Sequence, residues 1–259
     1  MNLVQASGLC AKVADGLAFN NLSFEITEKG VYGFLGKDKA EIGALADILA
    51  GVLAPESGNL LYKERSLYAS ARSNADIRKK LSYASAELYF DADLTAFELI
   101  DTWGRAKGVD PDKRYRQIKE ALELTGLSAK TEVLFEELTL SEKKRLTIAC
   151  ALVGNPDVII LNDPVHYLDS KQAGEVKKLI RKLGSIKTVL LLSNDSALVE
   201  ELCDNVAIVH GGELLLWERT EELLTSLKEK RLGGLANVLS ALTEENEKNA
   251  VADGQSVKE

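Results

Sequence analysis

LTLSEKKRLTIACALVGNPDVIILNDPVHYLD, running from Leu138 to Asp169, carries two kinds of periodicity in one stretch. Thr139 and Glu142 have the Ser/Thr-x-x-Glu spacing of a capping box, in which each side chain satisfies a backbone N–H at the start of a helix. The apolar run Val158 to Leu161 (VIIL) is bounded by Pro156 and Asp157 before it and Asn162 and Asp163 after it, as a short strand buried on both faces would be. Asp169 and Gln172 repeat the cap spacing, and Lys171 to Leu183 (KQAGEVKKLIRKL) then follows the period of an amphipathic helix. A doubly buried strand between two helices is the repeating unit of a parallel sheet with covered faces.

The same reading extends outward. Gly30 to Leu35 (GVYGFL), Thr188 to Ser193 (TVLLLS) and Asn205 to Val209 (NVAIV) are further apolar runs of strand length. Phe19 to Ile26 (FNNLSFEI) alternates instead and suits an antiparallel layer with one wet face. Strand signals vanish between about residues 87 and 146. There Thr95 and Glu98 form a second capping box ahead of Leu99, Ile100 and Trp103, and another helix runs through Arg116 to Leu124. This is a helical insert in an α/β core. After the turn at His210-Gly211-Gly212 come a short strand (GELLLW) and helix-forming sequence around Glu221 to Lys230; from Glu244 onward the chain is polar without a periodic apolar face, which predicts a frayed tail.

Composition narrows the function classes. The 259 residues are 46% hydrophobic and 28% charged, enough for one large α/β domain or a domain with an insert. A net charge of −8 argues against a nucleic-acid surface, which normally shows a basic excess. The N-terminus lacks the layout of a signal peptide and no run is long and apolar enough to span a bilayer, so a cytosolic location is expected. Cys10, Cys150 and Cys203 lack disulfide or metal spacing and are expected as reduced core residues.

In order and spacing these segments resemble the ATP-binding cassette family over roughly residues 3 to 243. GFLGKDKAEIGAL (Gly33 to Leu45) stands where that family has its phosphate loop, and LAPESGNLLYKE (Leu53 to Glu64) follows the loop's helix. SYASAELYFDADLTAFE (Ser82 to Glu98) matches the switch into the helical insert, and Leu138 to Asp169 matches the signature helix with the strand that bears the metal and base residues. KTVLLLSNDSALVEELCDNVAIVHGGELL (Lys187 to Leu215) matches the switch strand, and GLANVLSALTEE (Gly234 to Glu245) is similar to the closing segment of exporters of small molecules and antibiotics. The resemblance implies a P-loop NTPase-like α/β fold: a parallel core, an antiparallel layer and a helical subdomain. It divides the chain into the first part of the core (1–86), the helical subdomain (87–146), the second part of the core (147–215) and C-terminal helices with a polar tail (216–259).

Carried over residue by residue, the resemblance also predicts lost chemistry. A phosphate loop reads G-x-x-x-x-G-K-[ST], so that glycines curl N–H groups around phosphates, Lys reaches the outer phosphates and a hydroxyl binds magnesium. Gly36 keeps the first glycine, but Glu41, Ile42 and Gly43 take the other three places. Gly36 and Ala40 are what is left of a cofactor-binding loop. Asn162 replaces the metal-binding Asp, and Asp163 replaces the catalytic Glu with a side chain one methylene shorter, a shortfall of a size that can cost about 100-fold in rate. A plain turn-capping role for Asp163 is the competing reading. Val13, Ala86 and Asn194 stand where the family places an adenine-stacking aromatic, a Gln and a His. Leu138 to Glu142 replaces LSGGQ: Leu140 is bulky where a phosphate would approach, and the Thr139–Glu142 capping box occupies the helix N-terminus and adds negative charge.

No metal and no cofactor are therefore expected, with ATP and Mg entering only if the altered site still holds them. The implied protein is a pseudo-ATPase subunit at the inner face of the plasma membrane. It pairs with an integral-membrane permease, beside an intact cassette as a heterodimer or with its own copy as a homodimer, and binds no nucleic acid. The alternatives are an unorthodox ATPase that energises export of a small molecule or peptide through Lys39 and Asp163, and a soluble sensor that uses the altered cleft for another ligand.

Overall fold

The computed structural model describes residues 2–12, 18–68, 71–87, 90–229 and 233–256. They group into two compact units: Met1–Thr27, Tyr32–Glu64 and Leu191–Glu259 form the first, and Glu28–Val31 with Arg65–Leu190 form the second.

The first unit begins with an antiparallel layer in which β1 (Val4–Lys12) lies between β2 (Ala18–Ile26) and β4 (Ser57–Tyr62). From Leu22 to Ile26 alternate residues of β2 are buried, as the sequence period requires, while Asn20 and Asn21 are both exposed. β1 is broken by register shifts around Gly8, where φ is +59°. The same unit holds β3 (Gly30–Leu35, from Tyr32 on), parallel to β9 (Asn205–His210), with β10 (Glu213–Arg219) antiparallel on the outer side of β9. Every residue of β3 is buried, which explains its unbroken apolar run. Trp217 of β10 sits against Phe24, Tyr32 and Phe34 at ring-centroid distances of 5.5, 6.0 and 5.9 Å, joining the two layers of this unit.

Helix α1 (Lys39–Ala50) follows β3 and ends on Gly51 in the left-handed conformation, φ 72°. α7 (Ser196–Leu202) and α8 (Thr220–Glu229) complete the unit together with α9 (Leu235–Ser256). The frayed tail expected from Glu244 onward is corrected here: α9 continues to Ser256. Leu235, Leu239 and Thr243 recur every fourth residue on its buried face. Beyond them, Asn246 Nδ2 donates to Glu213 Oε2 at 3.1 Å and Glu247 Oε1 lies 3.2 Å from His210 Nε2. Distant polar partners hold a segment that lacks an apolar stripe of its own.

The second unit contains β6 (Leu81–Ala84) parallel to β7 (Val158–Asn162), with α2 (Ala71–Lys80) and the two-residue β5 (Arg65–Ser66) ahead of them. β8 (Thr188–Ser193) crosses the chain boundary between the units. From residue 96 to 152 all the regular elements are helical: α3 (Ala96–Ala106), α4 (Pro111–Leu124), two single 3₁₀ turns and α5 (Leu140–Leu152). Both capping boxes read from the sequence are formed, Thr95 with Glu98 on α3 and Thr139 with Glu142 on α5. Asp169 likewise accepts from Gln172 N at 2.8 Å and opens α6 (Ser170–Gly184). A half-buried lysine ties the end of α3 to α5, because Lys107 Nζ donates to the carbonyls of Ala151 and Val153 at 3.1 and 2.9 Å and to Ser82 Oγ. Burial lowers its pKa to about 8.

Cys150 and Cys203 are buried free thiols, and burial pushes both pKa values up. Cys10 departs from the core placement expected of it: it is half-buried on β1, and Asn21 N donates to its Sγ at 3.4 Å. Among the described residues no helix is long and apolar enough to cross a membrane.

Candidate functional site

The loop from Gly36 to Gly43 turns from β3 into α1, the position that in a P-loop would present N–H groups to phosphate. Three side chains determine what this turn offers. Asp38 is the N-cap of α1, and its Oδ1 accepts from Ala40 N at 2.7 Å. A first-turn donor of the helix is thereby satisfied within the chain. Ile42 is 2% exposed and lies under the loop, so close that a Cβ added to Gly36 would meet its Cδ1 and Cγ1 at 2.9 Å and Val209 O at 3.0 Å. Gly36 is thus held to glycine by the packing of Ile42, with no ligand needed to explain it.

Glu41 is the unexpected element. Its side chain is turned inward, 1% exposed, and Oε1 accepts from Gly212 N at 2.6 Å. Gly212 belongs to the β9–β10 turn, so the contact links residues 171 apart in sequence. Burial raises the Glu41 pKa; the Gly212 N–H and the nearby His210 pull it back only in part, and Asp38 adds to the rise. A carboxyl whose folded pKa is raised supports the fold fully below its unfolded pKa, near 4.5, and loses that support as pH climbs through the folded value. At neutral pH the ionised group therefore costs stability. Glu41→Gln, which keeps an acceptor oxygen and removes the charge, is expected to match or exceed the parent chain by up to about 1 kcal/mol at pH 7 and to lose that advantage near pH 4. Denaturant unfolding at the two pH values checks it.

The remaining residues of the sequence-predicted site fall in different places. Gly36 and Ala40 lie on this loop, in the first unit, and so does the phosphate-loop triplet Glu41, Ile42 and Gly43. Asn194 is exposed at the end of β8, one residue before Asp195, whose Oδ1 accepts from Ala197 N and Leu198 N and caps α7. Val13 lies outside the described residues.

Asn162, Asp163, Ala86 and the segment Leu138 to Glu142 belong to the second unit. Asn162 Nδ2 donates to the Tyr83 hydroxyl at 3.2 Å. Asp163 is 5% exposed with φ 49°, a left-handed conformation that Asp tolerates better than most residues. Its carbonyl accepts from His166 N at 3.3 Å, and Oδ2 lies 3.3 Å from His166 Nδ1. These contacts stay within the turn around Pro164. Ala86 offers its carbonyl to the Lys144 ammonium at 2.6 Å, so a lysine of α5 holds the entry to the helical insert. At the start of α5, Glu142 Oε2 accepts from Thr139 N and Thr139 Oγ1 at 2.9 Å each, and Glu142 Oε1 pairs with Lys130 at 3.2 Å. Ser141, in the same segment, is buried. Among the described residues no group of three or more His, Cys, Asp or Glu side chains is arranged to hold a metal.

The partners of Asp38 and Glu41 emerge from the structure. The Asp38 cap had a local signal, an Asp directly before a helical pattern. The Gly212 partner of Glu41 had none.

Comparison with known proteins bears on the family and the fold. The methionine import ATP-binding protein MetN 1 of Enterococcus faecalis is 27% identical over 198 residues, 75% of this chain and 56% of that one. The bacitracin transport ATP-binding protein of Bacillus licheniformis is 27% identical over 215 residues, 82% of this chain and 68% of its own length. Among solved structures, cbiO1 from Clostridium perfringens, part of the ABC transporter complex cbiONQ, superposes with a TM-score of 0.78 over 89% of this chain and 93% of that one, at 21% identity, which speaks for the α/β fold. A family model described as ABC transporter matches residues 19–166, more than half of the chain. The chain therefore belongs to the ABC transporter family, as one of its ATP-binding domains.

Proposed function

We propose that this chain is a pseudo-ATPase subunit: a cytoplasmic cassette that pairs with a membrane permease, beside an intact cassette or a second copy of itself, and contributes architecture in place of ATP hydrolysis. The observation that carries the reading is the inward-turned Glu41, held by Gly212 N–H inside the loop where a nucleotide phosphate would need cationic and N–H donors. Ile42 adds bulk without charge beneath Gly36, and Asp38 takes the Ala40 N–H. The residues present do not fit a magnesium–triphosphate pair. Gly43 has no side-chain oxygen, and Asn162 offers a neutral carbonyl oxygen where magnesium prefers a carboxylate. On this reading Gly36 and Ala40 are structural remnants, Asp163 serves the Pro164 turn, and the surface between Ala86 and Glu98 is the part that docks a permease helix. The roles of the two relatives, methionine import and bacitracin transport, fit a subunit of a small-molecule or peptide transporter.

The test is turnover of Mg-ATP by the purified chain beside Lys39→Ala and Asp163→Asn. All three are expected to show the same background rate. A rate that drops tenfold or more in either variant would replace this reading with the unorthodox ATPase.

A further inference from the structure

The second unit gathers lysines at the turn between α5 and β7. Lys187, on the turn into β8, donates from Nζ to Asn155 Oδ1 and to Pro156 O, both at 2.7 Å. Both acceptors are neutral. Lys80 reaches the same turn, its Nζ donating to Asn155 O at 3.3 Å. Burial lowers the Lys187 pKa, Asp157 opposes the shift, and Lys80 and Lys29 deepen it. Lys187 and Lys80 thus meet at one turn on neutral acceptors, and gathering like charges costs free energy unless something offsets it.

Beside this cluster opens a pocket of about 240 Å³ between α4 and the ends of α5 and β8. Lys187 and Arg116 are the two basic residues of its lining. Gln117 lines it as well; its Oε1 is taken by Gly154 N at 2.9 Å, which leaves the amide N–H groups as donors. Leu124 and Leu152 supply an apolar side. Glu120 is the one acidic side chain of the lining and pairs with Arg116 at 3.5 Å on the exposed edge. The volume lies below the usual range for drug-sized ligands, so the occupant is small.

We propose that this pocket binds a small carboxylate with a short aliphatic chain, its carboxylate on Lys187 and Arg116 with Gln117 assisting, and its chain on Leu124 and Leu152. Arg presents a planar fork suited to a carboxylate, and the leucines give a reason to prefer an alkyl carboxylate over a bare inorganic anion. The site is independent of the phosphate loop and of the pseudo-ATPase reading.

The experiment is calorimetric titration of the full chain with sodium butyrate, with inorganic phosphate and with 1-butanol at matched ionic strength. The parent protein is expected to bind butyrate saturably, phosphate at least tenfold more weakly and butanol not at all. Lys187→Met is expected to abolish butyrate binding. Arg116→Ala, at an exposed position that leaves the fold intact, is expected to weaken it about tenfold and guards against a Lys187 variant that unfolds. Absence of saturable butyrate binding, binding that survives both variants unchanged, or phosphate binding as tight as butyrate would each overturn the proposal.

Discussion

Gly212→Ala is expected to cost at least about 4 kcal/mol, which for a chain of this size lowers Tm by roughly 10 °C. Two costs combine. At φ 80° an L side chain is strained by about 1–2 kcal/mol. The added Cβ would also fall 1.7 Å from Ala18 O, a backbone atom that cannot step aside as a flexible side chain could. Relief requires the β9–β10 turn to move off β2, where Gly212 O now accepts from Asn20 N at 2.8 Å, and that movement withdraws the Gly212 N–H from Glu41. A buried carboxylate left without its donor adds its own penalty. Gly108→Ala separates the two costs, because Gly108 has φ 68° and open space around its missing Cβ; its loss is expected near 1 kcal/mol. Chemical denaturation of both variants decides the matter, and equal losses would mean that the turn is not packed as described.

The second large effect concerns a gain. If Glu41 and Ile42 are what keep a nucleotide out, replacing Glu41→Gly, Ile42→Lys and Gly43→Ser together returns the donors, the cation and the hydroxyl of a phosphate loop. The triple variant is expected to be less stable than its parent without ligand, since it gives up the Gly212 contact and the buried Ile42 side chain. It is also expected to respond to Mg-ATP. At a concentration 100 times Kd, binding to the folded state alone adds about 2.7 kcal/mol, several degrees in Tm, where the parent chain shows no shift. The Asp38 cap on Ala40 remains in the variant, so a triple variant without any response would identify that cap as a further block. The ligand-induced shift, measured against each protein's own baseline, keeps the result separate from the loss of basal stability.

The parts of this structure legible in the sequence are those in which the deciding interaction is local. Thr95–Glu98, Thr139–Glu142 and Asp169–Gln172 span three residues each, and all three caps are formed as read. The unbroken apolar runs of β3, β7, β8 and β9 are buried as their composition requires. β1 carries no clean alternation in its sequence, because its register slips between Ala6 and Leu9 and between Leu9 and Ala11. The helix beyond Glu244 gave no local sign because its holding partners, His210 and Glu213, lie more than thirty residues away. The site divides along the same line. The identities of Glu41, Ile42, Gly43, Asn162 and Asp163 could be read directly, whereas the inward turn of Glu41 depends on Gly212, far along the chain, and could not.

Calorimetric titration of the purified full chain with ATP, with and without magnesium, puts the central claim at risk most directly. The account expects no saturable heat at millimolar nucleotide and no difference between the two conditions. Saturable binding at micromolar ATP that requires magnesium would contradict it.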